Sequence, residues 1–124
     1  MPSSTLELLG PVVALIVGMA VAGWGLSCRA GRFPRNPILG YRTRAALSSK
    51  DAWVAAHRGY APLLITGGVL LTAAALIAVA AVLAGEVGVV GPAITAGIIA
   101  LLVAVIIGAF FAHRALRLYL AQTG

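Results

Sequence analysis

Three apolar runs, at about residues 6–28, 62–84 and 90–112, occupy most of this 124-residue chain. A bilayer core of roughly 30 Å needs about 20 helical residues, so each run has the length of a membrane span. With no water in lipid to take up peptide hydrogen bonds, such runs must satisfy their backbones internally, as helices. The first carries no charge after Glu7 and has Pro11 near its start, where a missing N–H is best tolerated. It lacks a basic leader and is longer than a signal-peptide core, so it reads as an uncleaved span. The second and third are separated by Gly85-Glu86-Val87-Gly88, room only for a helical hairpin. The expected fold is all-α: one integral membrane domain of three transmembrane helices. A composition of 61% hydrophobic and 10% charged residues accords with this, as does a mean hydropathy of +1.05.

The formal charge of +6 is unevenly spread. Arg29, Arg32, Arg35, Arg42, Arg44, Lys50 and Arg58 fall in or beside the loop of about residues 29–59, and Arg114 and Arg117 follow the third span. The N-terminal segment and the second turn carry only Glu7 and Glu86. Spread over a folded polar surface, a pI near 10.8 would suggest nucleic acid. Gathered at the ends of apolar spans, it reads instead as topology and contact with anionic headgroups, and no nucleic-acid partner is expected. The loop and C-terminus are expected in the cytoplasm and the N-terminus outside, in a multi-pass protein of a bacterial plasma membrane. An Arg-dominated set of cations in an Ala-, Gly- and Val-rich chain points the same way, to a GC-rich bacterial genome.

Cys28 stands alone and no His/Cys cluster has zinc spacing, so neither disulfide, metal nor cofactor is expected. No nucleophile–base pattern suggests an enzyme, and no carboxylate lies mid-span to support proton-coupled antiport. Small residues recur at spacings of four as Ala14/Gly18/Ala22, Gly68/Thr72 and Ala104/Gly108/Ala112, faces suited to helix packing within the chain, in a homo-oligomer or against a larger complex.

The dense polar block is Asn36-Pro37-Ile38-Leu39-Gly40-Tyr41-Arg42-Thr43, followed by Trp53 and His57-Arg58. Asn36 and Gly40 are turn-shaping types. Arg42 is expected to face inward, towards helix-end carbonyls, a lipid phosphate or a ligand carboxylate; the competing reading is a topology charge. Ser48-Ser49-Lys50-Asp51 has capping-box spacing and predicts a short amphipathic helix starting at Ser48. Trp53 and His57, four apart, share a face, Trp53 as an interfacial anchor and His57 as a hydrogen-bonded imidazole, a pH sensor or a metal ligand. Gly59 and Pro62 predict a bend near residues 58–61. His113, closing the third span, is on the side where it can meet the loop.

The order Asn36, Gly40, Arg42, Thr43, Trp53, His57, Arg58, set between the first and second of three spans, resembles the SdpI family of bacterial membrane proteins. That family is named for immunity to a secreted toxic peptide. Ala46 departs from it, standing where a threonine is frequent. The resemblance implies immunity to, or signalling of, a secreted antimicrobial peptide toxin, with the polar loop as signature and a peptide toxin or regulatory protein as partner. The alternative is a small accessory subunit packed through its small-residue faces on a larger membrane complex.

Overall fold

The computed structural model describes residues 2–123, with side chains from Thr5 onward. Its elements are α1 (Pro2–Arg29), α2 (Arg44–Leu47), α3 (Lys50–Leu83), a 3-10 turn (Val87–Val89) and α4 (Val90–Thr123). Three helices are long and apolar enough to cross a membrane, and the short α2 lies between the first and second of them. The protein is an all-helical, multi-pass membrane protein. α3 lies between α1 and α4, which scarcely touch each other.

Side-chain size is distributed inside out relative to a water-soluble bundle. Ala14, Ala61, Ala75, Ala78, Ala104 and Ala112 are buried, while Ile16, Leu76, Ile106 and Phe110 point outward. With lipid as apolar as leucine, no hydrophobic gain drives large residues inward, and small ones let the backbones approach for van der Waals contact. The four-residue spacings serve this purpose. A side chain on Gly68 would run into the Ala22 backbone of α1, and one on Gly18 would come within 2.7 Å of the Thr72 amide nitrogen of α3. On the opposite side of α3, Gly67 faces Ala104, and Gly108 of α4 receives the ring of Tyr60.

α1 closes in a Schellman motif. Gly31 takes φ +72, its amide donates to the Cys28 carbonyl, and the Arg32 amide reaches back to Ser27. α3 closes in the same way around Gly85, with Gly85 donating to Val82 and Glu86 to Ala81, and the chain enters α4 through the 3-10 turn.

Two local expectations are corrected. No helix starts at Ser48: its hydroxyl donates to the Ala45 carbonyl at the end of α2, and Ser49 is the N-cap of α3, accepting from the Ala52 amide at 3.0 Å. The cap is shifted by one residue because α2 uses Ser48 for its own last turn. Nor does the second span begin a new helix at the bend expected at 58–61: α3 continues as one helix through Gly59 and Pro62. Gly59 is a contact point: a Cβ there would lie 2.7 Å from the Phe111 carbonyl oxygen of α4. Ala61 and Leu64 pack on the neighbouring helices while Pro62 faces outward. At 1.5 Å per residue α3 is about 51 Å long, so its first turns project beyond any bilayer core.

The α1–α3 contact is tested by Gly18→Leu, which overpacks against a backbone and is expected to cost about 1–3 kcal/mol. Gly23→Leu, with nothing within 4 Å of its Cβ, is the control. Denaturation in mixed micelles should separate the two variants; equal stability would contradict the packing described.

Candidate functional site

The projecting turns of α3 carry a closed aromatic lock. Trp53 and His57, one turn apart on α3, are each about 1% exposed, and their ring centroids lie 4.0 Å apart. Phe33, arriving from the loop after α1, packs on both, at 5.7 Å from Trp53 and 5.2 Å from His57. The Trp53 indole N–H donates to the Phe33 carbonyl at 2.7 Å, which gives a buried donor its partner and pins the loop backbone to α3. Trp53 is therefore the interior of the loop assembly, not an exposed interfacial anchor.

His57 uses both ring nitrogens. Its Nε2 accepts the Tyr41 backbone N–H at 2.9 Å, and its Nδ1 lies 2.8 Å from the Trp53 carbonyl. An N–H aimed at Nε2 requires a lone pair there, so the proton of the neutral ring sits on Nδ1 and is donated to Trp53. His57 precedes the apolar run from Pro62. Burial pushes its pKa below the ordinary imidazole value, outweighing the opposite pull of the Trp53 carbonyl. With its lone pair engaged, this ring is not free to bind a metal.

Tyr41 clips the loop to both neighbouring helices: its amide binds His57 of α3, and its hydroxyl pairs with His113 Nδ1 of α4 at 3.1 Å. His113 thus meets the loop as its position after the third span implied. Gly40 makes the approach possible. It takes φ +109, and a Cβ there would stand 2.6 Å from His57 Nε2 and 3.0 Å from both Phe33 and Trp53. Glycine is required on both conformational and steric grounds.

Asn36 folds the tip of the loop. Its Oδ1 accepts from the amides of Ile38 (2.9 Å) and Leu39 (2.6 Å), and its Nδ2 donates to the carbonyls of Pro34 and Leu39. Ile38 and Leu39, whose amides are held inward, turn their side chains to the exterior, at 81% and 54% exposure. Arg42 is exposed, and its Nε donates to the Asn36 carbonyl at 2.9 Å. The inward orientation expected for it is not found: its partner is inside the loop rather than at a helix end, and the remaining guanidinium edge faces outward. Thr43 is the N-cap of α2, accepting the Ala46 amide at 3.2 Å, and Arg35 donates to the Leu47 carbonyl at the other end of that helix. Ala46 is fully buried in the cluster with Trp53 and Leu116. Arg58 is exposed and stands apart from the lock, its guanidinium lying over Gly31 at the end of α1.

Of the residues singled out in the sequence, Asn36, Gly40, Trp53 and His57 converge, Thr43 and Arg42 brace the same loop, and Arg58 does not join them. Phe33 and Tyr41 were missed as members. The signal for Tyr41 lay beside Gly40: a residue after an obligatory glycine, with an aromatic ring long enough to reach a second helix. Phe33 gave none, because its stacking partner is twenty residues away. Among the described residues, no group of three His, Cys, Asp or Glu could hold a metal ion.

The model of the SdpI/YfhL protein family matches residues 32–113, from the loop through the second span to His113. No curated protein and no solved structure is matched.

Gly40→Ala tests the lock. A β-carbon strains the backbone by about 1–3 kcal/mol and displaces the rings of His57, Phe33 and Trp53, so trypsin should cut after Arg42 and Arg44 about tenfold faster. Cleavage at the wild-type rate would contradict the arrangement.

Proposed function

Because the chain belongs to the SdpI/YfhL protein family, we propose that it protects a bacterium against a secreted antimicrobial peptide toxin or signals the presence of one. The observation carrying this reading is that the family match spans the whole lock, from Phe33 to His113. All nine Lys and Arg residues gather at the end of the bundle that bears the loop, with Asp51 the one acid of sequence there. The positive-inside rule therefore supports a cytoplasmic loop and C-terminus, with the N-terminus outside. On this reading the spans meet the toxin in the plasma membrane. The loop, held rigid by Tyr41 and His57, offers Ile38, Leu39 and the free edge of Arg42 to a cytoplasmic regulatory protein. Preorganisation favours such docking, since the entropy of ordering the loop is already lost in folding. The role is one of binding, not catalysis.

The accessory-subunit reading loses support because the small-residue faces that would receive a larger complex are used inside the chain: Gly18 and Gly68 face each other across α1 and α3, and Gly67 faces Ala104.

Expression in a sensitive bacterium, challenged with a panel of secreted pore-forming peptides, should raise survival above an empty-vector control. Arg42→Lys should reduce that protection, or the binding of the regulatory partner, because an ammonium does not reproduce the Nε bond to Asn36, worth about 1 kcal/mol. Arg44→Lys should leave protection intact at matched expression. Survival at control level for the wild type would overturn the immunity reading, and identical behaviour of the two lysine variants would remove Arg42 from the site.

A further inference from the structure

On the side of α3 that faces α1, a groove of about 560 Å3 opens where the polar end of the bundle meets the apolar spans. It is lined by Arg29, Arg58, Ala61, Pro62, Ile65 and Thr66. Arg29 is the last residue of α1, and Arg58 lies one turn before Pro62 on α3, so the two cations share the rim and the apolar residues form the wall beneath. Arg58 reaches across the gap: a Cβ on Gly31 would be 3.0 Å from its Nη2. Both arginines are exposed, and neither makes a hydrogen bond or ion pair among the described residues. The nearest acid in sequence, Asp51, lies about two turns from Arg58 along α3. Two guanidiniums on one rim without a counter-ion repel each other and are complemented by an oxyanion that both can bind.

The wall decides what carries that oxyanion. Below the arginines it is Ala61, Pro62 and Ile65, and the one hydroxyl there, of Thr66, is already donated to the Pro62 carbonyl at 2.7 Å. A soluble phosphate would leave this wall empty. We propose that the groove binds one anionic phospholipid of the loop-side leaflet, its phosphate between Arg29 and Arg58 and the start of an acyl chain along Pro62 and Ile65. The site is independent of the aromatic lock. It gives Arg58, the signature residue that stays outside the lock, a task of its own: joining the ends of α1 and α3 through a shared lipid.

The full chain in phosphatidylcholine nanodiscs containing a minor fraction of phosphatidylglycerol, released and weighed by native mass spectrometry, provides the test. The wild type should retain one phosphatidylglycerol. Arg29→Gln/Arg58→Gln should lower retention by about tenfold or more, whereas Arg44→Gln/Lys50→Gln, which removes the same charge from the loop, should retain it. Equal losses in the two double variants would reduce the effect to bulk charge and overturn the site. Thr66→Trp keeps both arginines and fills the groove from an exposed position, so it tests the proposal even if the double variant fails to fold. It should also lose the lipid, and undiminished retention would overturn the groove as the seat. Glycerol phosphate should not displace the lipid; displacement would assign the rim to a soluble phosphate and overturn the lipid proposal.

Discussion

A helix of 34 residues is about 51 Å long, against a bilayer core of roughly 30 Å, and this mismatch in α3 organises the molecule. The residues from Pro62 onward meet the demands of lipid, packing small side chains against α1 and α4. The turns before Pro62 form a rigid platform outside the core, continuous with the span. On that platform the loop after α1 finds fixed partners: the Trp53 indole N–H, the His57 lone pair and, from the equally long α4, the His113 ring. α3 is continuous from the platform into the span.

The lock relies on polar groups satisfied in a buried setting. Breaking one bond leaves the other partner buried and unpaired, at about 1–3 kcal/mol. The Tyr41 amide, the Trp53 indole and the His57 ring are consequently interdependent, and Gly40 is the residue that lets them meet. What this interior holds outward is different in kind: two aliphatic side chains and one edge of a guanidinium, on a tip ordered by Asn36. The division is between a satisfied interior and an exposed tip, and under the proposed function it would let most of the signature residues support the few that meet a partner.

The three spans were legible because lipid leaves the backbone few options: an apolar run of sufficient length has to be a helix. The polar residues that matter were legible too, since they stand out in a greasy chain. Their roles were less so. Trp53 has the composition of an interfacial anchor, and only the arrival of Phe33 from across the loop makes it interior. Arg42 has no acidic neighbour in sequence, which suggested a helix end, whereas a carbonyl six residues back satisfies it. Ser48 has the acid three residues on that the capping pattern asks for, yet Ser49 is the cap, because the choice depends on where α2 ends. Gly59 and Pro62 read as a bend from local propensity alone, whereas the contact of Gly59 with Phe111 on a continuous α3 depends on a helix more than fifty residues away.

A neutral His57, protonated on Nδ1, accepts the Tyr41 amide and so holds the loop to the second span. Nitrogen chemical shifts and one-bond N–H couplings of 15N-histidine-labelled protein in lipid nanodiscs at neutral pH measure this directly, with His57→Gln identifying the signal. The expected result is a bare Nε2, a protonated Nδ1 and a coupling through the hydrogen bond from Tyr41 N–H to Nε2. An imidazolium, or a neutral ring carrying its proton on Nε2, would contradict it.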